Sequence, residues 1–432
     1  MKNKIKLALI TPEHYEIARF GTERKEVAPF GFMYLAAVAE SAGAEVELYQ
    51  ASNENYSFDF SNYDIVGFSI PSSVVYSLVR KVKENSRISE DSLLLAGGIH
   101  ATLYPEQVLN ELGVDVVCVG EAEETLKEIL EKYPLRSFSG IKGVAYKENN
   151  EFITSESREP ISDLDTIPFP ARHLMPTEDI VMNNRLSDTN LKTTFVLCSR
   201  GCPSACNFCG KQEKKVRYRS GENIKNELEL LKKQYGIEGF CIPDENFMSS
   251  RAKVKEICKS VKPLGLKWSS LSRIDALDAK TLEILSDSGC IELKFGMESG
   301  SQEMLDAMNK KITVEQIKKT VALTHNAGIK AKGFIIHGFP GENMKTTTET
   351  INLLKDLKDN LRRPTVFRFA PLPGSPAFKN HKEFGLHLPT NTDDIFIYGN
   401  TAKWWGSDKD KKELDASYNE LVRFVENEWG NS

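Results

Sequence analysis

The stretch CSRGCPSACNFCG, residues 198–210, holds four of the eight cysteines of this 432-residue chain. Three of them, Cys202, Cys206 and Cys209, have the spacing CxxxCxxC in one loop. A structural zinc site normally uses paired CxxC units, often far apart in the chain. Three thiolates in one loop can instead bind three irons of a cubane cluster and leave the fourth iron open to a ligand. The spacing therefore predicts an iron–sulfur site with chemistry at the open iron.

The other cysteines need a different interpretation. Cys198 stands outside the CxxxCxxC spacing, and we interpret it as a thiol at the end of a strand. Cys118, Cys241, Cys258 and Cys290 lie in apolar segments and are expected to be small buried hydrophobic residues. The first apolar run, KLALI, is too short for a signal peptide or a membrane-spanning helix, so we expect a cytoplasmic protein with reduced thiols.

The cysteine loop follows the first of a series of apolar strands that alternate with amphipathic helices. Between residues 191 and 376 the strand segments are TTFVLCS, IEGFCIPDE, LKWSSLS, CIELKFGME, IKAKGFIIHG and TVFRFAPLPG. Six strands, each but the last followed by a helix, predict a partial parallel (β/α)6 barrel of the TIM type. In such a barrel the functional residues lie at the carboxyl ends of the strands.

The remaining segments define the rest of the α/β organisation. Residues 1–135 also alternate strands with helices, which predicts a doubly wound, Rossmann-like domain with ligands beyond the strand ends. Residues 136–190 lose this alternation and predict a hairpin and a connector. Residues 377–432 predict a small C-terminal helical region that covers the substrate pocket. Within it, Trp404 and Trp405 either close over the substrate or pack internally.

Composition excludes several other classes of protein. The chain is 40% hydrophobic and 27% charged, as in ordinary globular enzymes, and its formal net charge is -5. Because no basic block is present, binding to nucleic acid through its phosphates is not expected, and neither is a membrane association.

The cysteine loop, with the aromatic Phe208 before its last cysteine, resembles the radical S-adenosylmethionine (SAM) superfamily. The resemblance implies that Cys202, Cys206 and Cys209 bind a [4Fe-4S] cluster whose open iron chelates SAM, and that Phe208 contacts the adenine. It also implies that Arg273 binds the SAM carboxylate and Glu298 its ribose or amino group. Four more residues at strand ends are implied SAM contacts: Asp244, Glu245, Ser299 and His337. For Asp244 and Glu245, substrate binding or capping of the next helix are alternatives.

The N-terminal domain extends the resemblance over almost the whole chain. Together with the barrel, the segments PFGFMYLAAVAESAG, VGFSIPSS and LLAGGIHAT are similar to the cobalamin-binding subgroup of the superfamily. The DxHxxG segment that supplies an axial histidine elsewhere is missing, and we interpret His14 as a surface residue. The cobalamin contacts that this similarity implies are Thr11, Pro12, Ser69, Pro71, Gly97, Gly98, His100, Gly120 and Glu121.

The resemblance implies an activity. A cobalamin-dependent radical SAM enzyme is expected to methylate an unactivated carbon of a small metabolite or natural-product precursor, through a 5′-deoxyadenosyl radical and methylcobalamin. An external one-electron reductant such as flavodoxin or ferredoxin would be its partner. Two alternatives keep the radical site: a cyclase or rearrangement enzyme, and an enzyme whose N-terminal domain has lost cobalamin. A third alternative is a non-catalytic iron–sulfur protein that binds a partner or senses redox state, and which would not cleave SAM.

Overall fold

The computed structural model describes residues 4–13, 15–17, 23–25, 29–133, 135–183, 186, 189–210, 213–388, 405–406 and 408–430. These residues form two compact units, which meet in the chain between Ile180 and Val181. His14 and Trp404, both interpreted above from the sequence, lie outside the described residues. No helix in the described ranges is both long enough and apolar enough to cross a membrane.

The first unit is built on a seven-stranded sheet. Its strands are β1 (Lys6–Pro12), β4 (Glu45–Ala51), β6 (Ile65–Ser69), β8 (Leu93–Gly97), β9 (Val116–Cys118), β10 (Val144–Glu148) and β11 (Glu151–Thr154). Short strands β2 (Tyr15–Ile17), β3 (Glu23–Lys25), β5 (Asp59–Phe60) and β7 (Arg87–Ile88) pair outside it. The order β4-β1-β6-β8-β9 is parallel and doubly wound. Ligands of such sheets bind where the winding reverses, here between β1 and β6.

Helices cover both faces of this sheet, as the strand alternation predicts. The unit contains α1 (Phe30–Ser41), α2 (Tyr76–Asn85), α3 (Ile99–Leu103), α4 (Pro105–Leu112), α5 (Glu123–Lys132) and α6 (Thr177–Ile180). Leu7 and Leu9 of β1 are buried in one core with α1 and α5, whereas Ala8 and Ile10 are buried in another with α2 and α4. Successive side chains of a strand point to opposite faces, so one strand supplies both cores.

The predicted end of the first domain at residue 135 is too early. Strand β10 pairs antiparallel with β9, and β11 pairs antiparallel with β10, so the hairpin extends the sheet instead of linking two domains. Val144 and Tyr146 of β10 are buried in the core beneath α1 and α5. The hairpin is held by the same backbone ladder and the same apolar burial as the parallel strands.

The second unit contains the predicted six-stranded parallel sheet, in the order of the chain. Its strands are β12 (Thr193–Phe195), β15 (Gly239–Ile242), β16 (Lys267–Ser272), β17 (Cys290–Glu298), β18 (Lys330–His337) and β19 (Leu361–Arg368). A two-stranded ladder of β13 (Ser199–Arg200) and β14 (Arg217–Tyr218) flanks the cysteine loop. The helices are α7 (Gly221–Tyr235), α8 (Arg251–Val261), α9 (Ala279–Asp287), α10 (Gln302–Ala307), α11 (Val314–Asn326), α12 (Met344–Leu357), α13 (Pro376–Lys379) and α14 (Asp408–Trp429).

The C-terminal helix α14 packs on the outside of this barrel. Its closest elements are α12 and β19, and Tyr418, Leu421 and Val425 join the core between strands and helices. Trp405 is buried, and its carbonyl oxygen accepts a hydrogen bond from His387 N. In the described residues, therefore, the C-terminal helix completes the outer helical layer, and the expectation that the C-terminal region covers a substrate pocket stays a prediction.

Candidate active site

The cysteine loop leaves β12 and is fastened to the segment that follows α10. Asn207 N donates to Met308 O at 2.9 Å, and Asn207 Nδ2 donates to Ala307 O at 2.8 Å. Asn309 Nδ2 donates to Ala205 O at 2.6 Å. The segment after β17 thus holds the loop that follows β12, so residues that follow two non-neighbouring strands of the sheet meet at the mouth of the barrel.

The three cysteines of the predicted cluster lie in this loop at the barrel mouth. Cys206 is buried, and Cys202 and Cys209 are half-buried. The Arg273 guanidinium at the end of β16 donates from Nη1 to Cys206 Sγ at 3.8 Å. Among the described residues no group of three or more His, Cys, Asp or Glu side chains is arranged to hold one metal ion. A cubane cluster does not require such a point, because each thiolate binds a different iron.

Arg273 is held in place by two further groups. Its Nε and Nη2 donate to the two carboxylate oxygens of Asp275 at 2.9 and 3.0 Å, a bidentate pair. Its Nη2 also donates to Lys310 O at 2.8 Å. These contacts direct a fixed positive charge to the cysteine loop.

A buried ion pair lies beside this guanidinium. Lys310 Nζ is 2.6 Å from Glu298 Oε1, and both side chains are only 7% exposed. Glu298 ends β17 with a φ of 65°, a backbone conformation that is strained for a non-glycine residue. Its side chain folds over Gly296, where a Cβ atom would stand 2.3 Å from Glu298 Oε1. Strain of this kind is often found at functional sites, and it is consistent with the role expected of Glu298.

Lys310 was not predicted from the sequence. Besides pairing with Glu298, its Nζ lies 5.6 Å from the centroid of the Phe208 ring. The flanking residues Asn309 and Lys311 both have positive φ, which turns the chain sharply at this point. The stretch MNKK, residues 308–311, carries no motif that predicts such a turn. The position of Lys310 at the site depends on contacts made across the barrel mouth.

A cavity of about 490 Å³ adjoins the loop. Its lining includes Ser204 of the loop, Arg273, Lys310 and Asn246. Asn246 is 4% exposed, and its Oδ1 has no hydrogen-bond partner among the described residues. Glu245, which the resemblance implied, is exposed instead. Of the residues that follow β15, Asn246 is the one that offers a buried polar atom to this cavity.

Asp244 contacts the residues that lead into the cysteine loop, and its expected role as a SAM contact stays a prediction. It is 2% exposed, and its carboxylate accepts hydrogen bonds from Cys198 N at 3.0 Å and from Ser199 Oγ at 2.6 Å. Burial raises the pKa of this carboxyl group to about 7. Asp244 therefore fixes the backbone that leads into the cysteine loop. Cys198 beside it is fully buried, and burial raises the pKa of its thiol well above the ordinary value.

His337 and Ser299 contact the outer helices, and their expected role as SAM contacts stays a prediction. His337 Nε2 lies 3.0 Å from Ser417 Oγ of α14, its ring packs on Tyr418, and burial lowers its pKa to about 3. Ser299 Oγ lies 3.1 Å from Thr350 Oγ1 of α12. Both contacts are to the outer helices, so these two side chains support the barrel from outside. The other four cysteines, Cys118, Cys241, Cys258 and Cys290, are buried as predicted.

In the first unit, the loops after β6 and β8 are locked together at the carboxyl edge of the sheet. Ile70 N donates to Gly97 O at 2.8 Å, and His100 N donates to Ile70 O at 3.1 Å. Gly98 has a φ of 107°, and a Cβ there would meet Ile70 O at 2.6 Å. Gly98 is itself exposed, and the following Ile99 is 50% exposed. This edge therefore offers open backbone beside an apolar side chain, which suits contact with a large flat ligand.

His100 is not part of that open edge, although the resemblance implied a cobalamin contact. It is fully buried, with Nδ1 2.6 Å from Ser73 Oγ and its ring between Tyr76 and Tyr104. Burial lowers its pKa to about 4, so the ring is neutral at pH 7. Its Nε2 is buried and has no hydrogen-bond partner among the described residues. His100 thus supports the loop after β6 from its buried side.

The other implied cobalamin contacts divide in the same way. Thr11, Pro12 and Ser69 are buried within the sheet, whereas Pro71, Gly97 and Glu121 are partly exposed and Gly120 is exposed. Gly120 N donates to Thr102 Oγ1, and Glu121 accepts from Ile161 N. This edge therefore exposes the backbone of the strand ends more than their polar side chains.

The fold and the cysteine loop define an enzyme of the radical SAM class. Residues 196–354 match the family model of the radical SAM superfamily, and residues 20–130 match that of the B12 binding domain. An uncharacterized methyltransferase of Pyrococcus horikoshii is 30% identical over 361 residues, which cover 80% of this chain and 77% of that protein. The chain belongs to the radical SAM enzymes that contain a cobalamin-binding domain. Its cofactors are a [4Fe-4S] cluster, SAM and cobalamin.

Two further similarities extend this picture. An anaerobic magnesium-protoporphyrin IX monomethyl ester cyclase of Rubrivivax gelatinosus is 28% identical over 331 residues, covering 73% of this chain and 58% of that protein. The structure of the radical SAM methyltransferase TsrM from Kitasatospora setae, with cobalamin and a [4Fe-4S] cluster bound, superimposes with a TM-score of 0.68 at 16% identity. That match covers 90% of this chain and 80% of the other, and it shows that the two share a fold.

Proposed function

We propose that this enzyme is a C-methyltransferase that acts on an unactivated carbon of a small molecule. The observation that carries the proposal is the charged site at the barrel mouth, Arg273 with the Lys310–Glu298 pair beside the three cysteines, in a chain that also has a cobalamin-binding unit. The similar protein of Pyrococcus horikoshii is named as a methyltransferase.

Each residue of the mouth suits one part of the cofactors. Cys202, Cys206 and Cys209 would hold the cluster. The fixed guanidinium of Arg273 and the ammonium of Lys310 suit the SAM carboxylate, because both are charged donors in a largely buried site.

Three further side chains would bind the rest of SAM. The buried oxygen of Asn246 suits the amino group, the Glu298 carboxylate suits a ribose hydroxyl, and the Phe208 ring suits the adenine. When bound, the cluster and SAM would supply a carbon-centred radical that takes a hydrogen atom from the substrate. Cobalamin would supply the methyl group that takes the place of this hydrogen.

The balance of the reaction requires two molecules of SAM. One supplies the methyl group and leaves as S-adenosylhomocysteine. The other is cleaved to methionine and 5′-deoxyadenosine, which carries away the substrate hydrogen. Two electrons enter one at a time, and we propose a flavodoxin or ferredoxin in the cytoplasm as their source.

A second candidate function is cyclisation or rearrangement of the substrate. The similarity to the magnesium-protoporphyrin IX monomethyl ester cyclase favours it. Such a reaction consumes SAM by reductive cleavage alone, so 5′-deoxyadenosine would form without S-adenosylhomocysteine. The two products therefore distinguish the candidates.

The test is anaerobic reconstitution of the full chain with iron, sulfide and hydroxocobalamin, followed by product analysis with reductant and SAM. We expect cobalamin to co-purify and both S-adenosylhomocysteine and 5′-deoxyadenosine to form when substrate is present. Cys206→Ala should lose the visible absorption of the cluster and SAM cleavage, while Cys258→Ala, a change to a buried cysteine of α8, should keep both. Cleavage of SAM by the Cys206→Ala protein would contradict the assignment of the cluster ligands, and 5′-deoxyadenosine without S-adenosylhomocysteine would contradict methyl transfer.

A further inference from the structure

Two asparagine side chains cross between the cysteine loop and the segment that links α10 to α11. Asn207 lies in the loop, and its Nδ2 donates to Ala307 O at 2.8 Å. Asn309 lies in the linking segment, and its Nδ2 donates to Ala205 O at 2.6 Å. Each asparagine thus uses its amide to bond a backbone carbonyl of the other segment. We call Asn207 and Asn309 the asparagine pair.

Backbone contacts of Asn207 strengthen this connection. Its N donates to Met308 O at 2.9 Å, and its carbonyl oxygen accepts from Ala377 N of α13 at 2.9 Å. The main chain and the side chain of Asn207 therefore bond to segments that follow two other strands, β17 and β19. Because these hydrogen bonds share one residue, the loop cannot shift without breaking several of them together.

The turn at Asn309 shows that its side chain has a task besides turning the chain. Asn309 N donates to Asp306 O and Lys310 N donates to Leu305 O, both at 2.9 Å, which is the Schellman pattern at the end of α10. Asn309 occupies the left-handed position of this motif with a φ of 52°. Glycine is the usual residue there, and asparagine is the common exception. An asparagine makes the same turn and also supplies the amide that reaches Ala205 O.

The asparagine pair belongs to a closed ring of contacts that includes a predicted cluster ligand. Asn309 bonds the carbonyl of Ala205, the residue before Cys206. The carbonyl oxygen of Lys310, the residue after Asn309, accepts from Arg273 Nη2 at 2.8 Å. Arg273 Nη1 in turn donates to Cys206 Sγ at 3.8 Å. Because the ring closes on neighbouring residues, it fixes the guanidinium relative to the thiol group.

This ring joins the two parts of the cofactor site. Cys206 would hold the cluster, whereas Arg273 and Lys310 suit the SAM carboxylate, as proposed above. Groups that bind one ligand together must be held within about 0.5 Å of the productive geometry. Removal of the partners that orient metal ligands typically costs about tenfold or more in affinity. The relative position of the loop and the two cations should therefore set the affinity for SAM.

We propose that the asparagine pair are positioning residues for SAM. They hold the cysteine loop in register with Arg273 and Lys310, so that the cluster and these cations bind the same SAM molecule. The inference rests on the SAM contacts proposed above for Arg273 and Lys310, and it does not depend on methyl transfer. Without the pair the three cysteines remain to bind the cluster, and SAM should bind the displaced site more weakly.

The test measures SAM binding without turnover. Asn309→Gly removes the amide, and glycine keeps the positive φ of the turn without strain. SAM is titrated by calorimetry into the cluster- and cobalamin-loaded protein in the absence of reductant, and the iron content is measured on the same samples. We expect Asn309→Gly to retain about four irons per chain and to bind SAM about tenfold more weakly than the wild type. The Mössbauer signal of the open iron, recorded with SAM, should change at correspondingly higher SAM concentrations.

The matched control is Asn150→Gly, the same substitution at an exposed asparagine with a φ of 68° in the turn between β10 and β11. It should bind SAM within about twofold of the wild type, because surface substitutions of this kind have small effects. Asn207→Ala removes the other amide and should also weaken SAM binding, which gives a second test if Asn309→Gly fails to fold. The double variant should lose less than the two single effects combined, because both residues act on one loop.

Three results would overturn the inference. The first is a SAM affinity within about twofold of the wild type in Asn309→Gly and Asn207→Ala. The second is a loss of stability in urea with unchanged SAM affinity per cluster, because the pair would then have a structural role only. The third is loss of the cluster from both variants, because the contacts would then serve cluster binding itself.

Arg273→Gln distinguishes failure of this inference from failure of the SAM contacts on which it rests. If Arg273→Gln weakens SAM binding and Asn309→Gly does not, the inference is wrong and the proposed contacts stand. If Asn309→Gly weakens SAM binding and Arg273→Gln does not, the contact of Arg273 is wrong and the positioning role stands. Formation of 5′-deoxyadenosine without S-adenosylhomocysteine would contradict methyl transfer and leave the positioning role unchanged.

Discussion

Replacement of Asp244 by asparagine separates a structural role from the cofactor-binding role that the sequence implied. Burial raises the pKa of the Asp244 carboxyl group from 3.8 to about 7. The folded unit therefore prefers the protonated form. Its stabilising contribution is complete below pH 3.8 and is lost as the pH rises through about 7. An asparagine in this place would resemble the protonated form at every pH, because its amide still accepts from Cys198 N and can donate to Ser199 Oγ.

The size of the effect on stability follows from the shift in the pKa of Asp244. A raised pKa of about three units corresponds to about 4 kcal/mol once the pH exceeds both values. By the same relation the loss is about 2 kcal/mol at about pH 5.5 and about 4 kcal/mol at about pH 8. The stability advantage of Asp244→Asn over the wild type should thus grow by about 2 kcal/mol between these conditions. The positive charge of Arg219 lies close enough to favour the ionised form of Asp244. Arg219 also pairs with Glu227, so the substitution does not leave a buried cation without a partner.

Urea unfolding followed by tryptophan fluorescence measures this difference. All four tryptophans of the chain follow residue 181 in the sequence, so their signal reports the second unit. Asp287→Asn removes an exposed carboxylate from the same unit, and its difference from the wild type should stay within about 0.5 kcal/mol at both pH values. SAM affinity, measured on the cluster-loaded proteins, should change less than about twofold in Asp244→Asn, since the carboxylate faces the backbone of Cys198 and Ser199.

Two results would refute this reasoning. A pH-independent difference between Asp244→Asn and the wild type would mean that the buried carboxylate is already compensated. A large loss of SAM affinity with unchanged stability would mean that Asp244 binds the cofactor, as the resemblance implied.

Two glycine substitutions test the close contacts at the two sites. Gly296→Ala places a Cβ 2.3 Å from Glu298 Oε1. Because this disturbs the buried Lys310–Glu298 pair, it should destabilise the second unit by about 3 kcal/mol and weaken SAM binding. Unchanged SAM affinity would exclude Glu298 from the site. Gly98→Ala places a Cβ 2.6 Å from Ile70 O at a φ of 107°, which would displace the loops after β6 and β8. Retention of cobalamin after gel filtration should therefore fall, and full retention would contradict the close approach of these two loops. For both, Gly31→Ala is the control, because nothing lies within 4 Å of its added Cβ and its effect should stay within about 1 kcal/mol.

The sequence predicted the architecture well because hydrophobic alternation and helix periodicity repeat over many residues. The six barrel strands and the doubly wound sheet both follow from such repeats. The hairpin Val144–Thr154 was expected, but outside the first domain, because its two short strands carry one apolar face and their partner β9 lies elsewhere in the sequence. Antiparallel edge strands of this kind are specified by pairing with a neighbour, which local patterns do not show.

Individual side chains were predicted less well, because position at a strand end does not fix the side to which a residue points. On β18 the outward residues Ala331 and Ile335 have the same parity as His337, so the alternation could have placed His337 outside the barrel. On β17 Leu293, Phe295 and Met297 face the outer core, so the same alternation places Glu298 on the inner side. Its ion pair with Lys310, twelve residues further along the chain, is what the periodic pattern did not show.

The direction of each polar side chain separates those that support the barrel from those that serve its chemistry. Asp244 and His337 satisfy buried hydrogen bonds to neighbouring backbone or helices, which is what buried polar groups generally do. The Lys310–Glu298 pair lies at the mouth beside the cysteine loop, where a buried ion pair needs further polar partners to offset its desolvation. Disturbing a group of the first kind should change stability and leave ligand affinity unchanged, whereas disturbing a group of the second kind should also weaken ligand binding. The measurements on Asp244→Asn and Gly296→Ala test this division directly, because each protein is examined for stability and for SAM affinity.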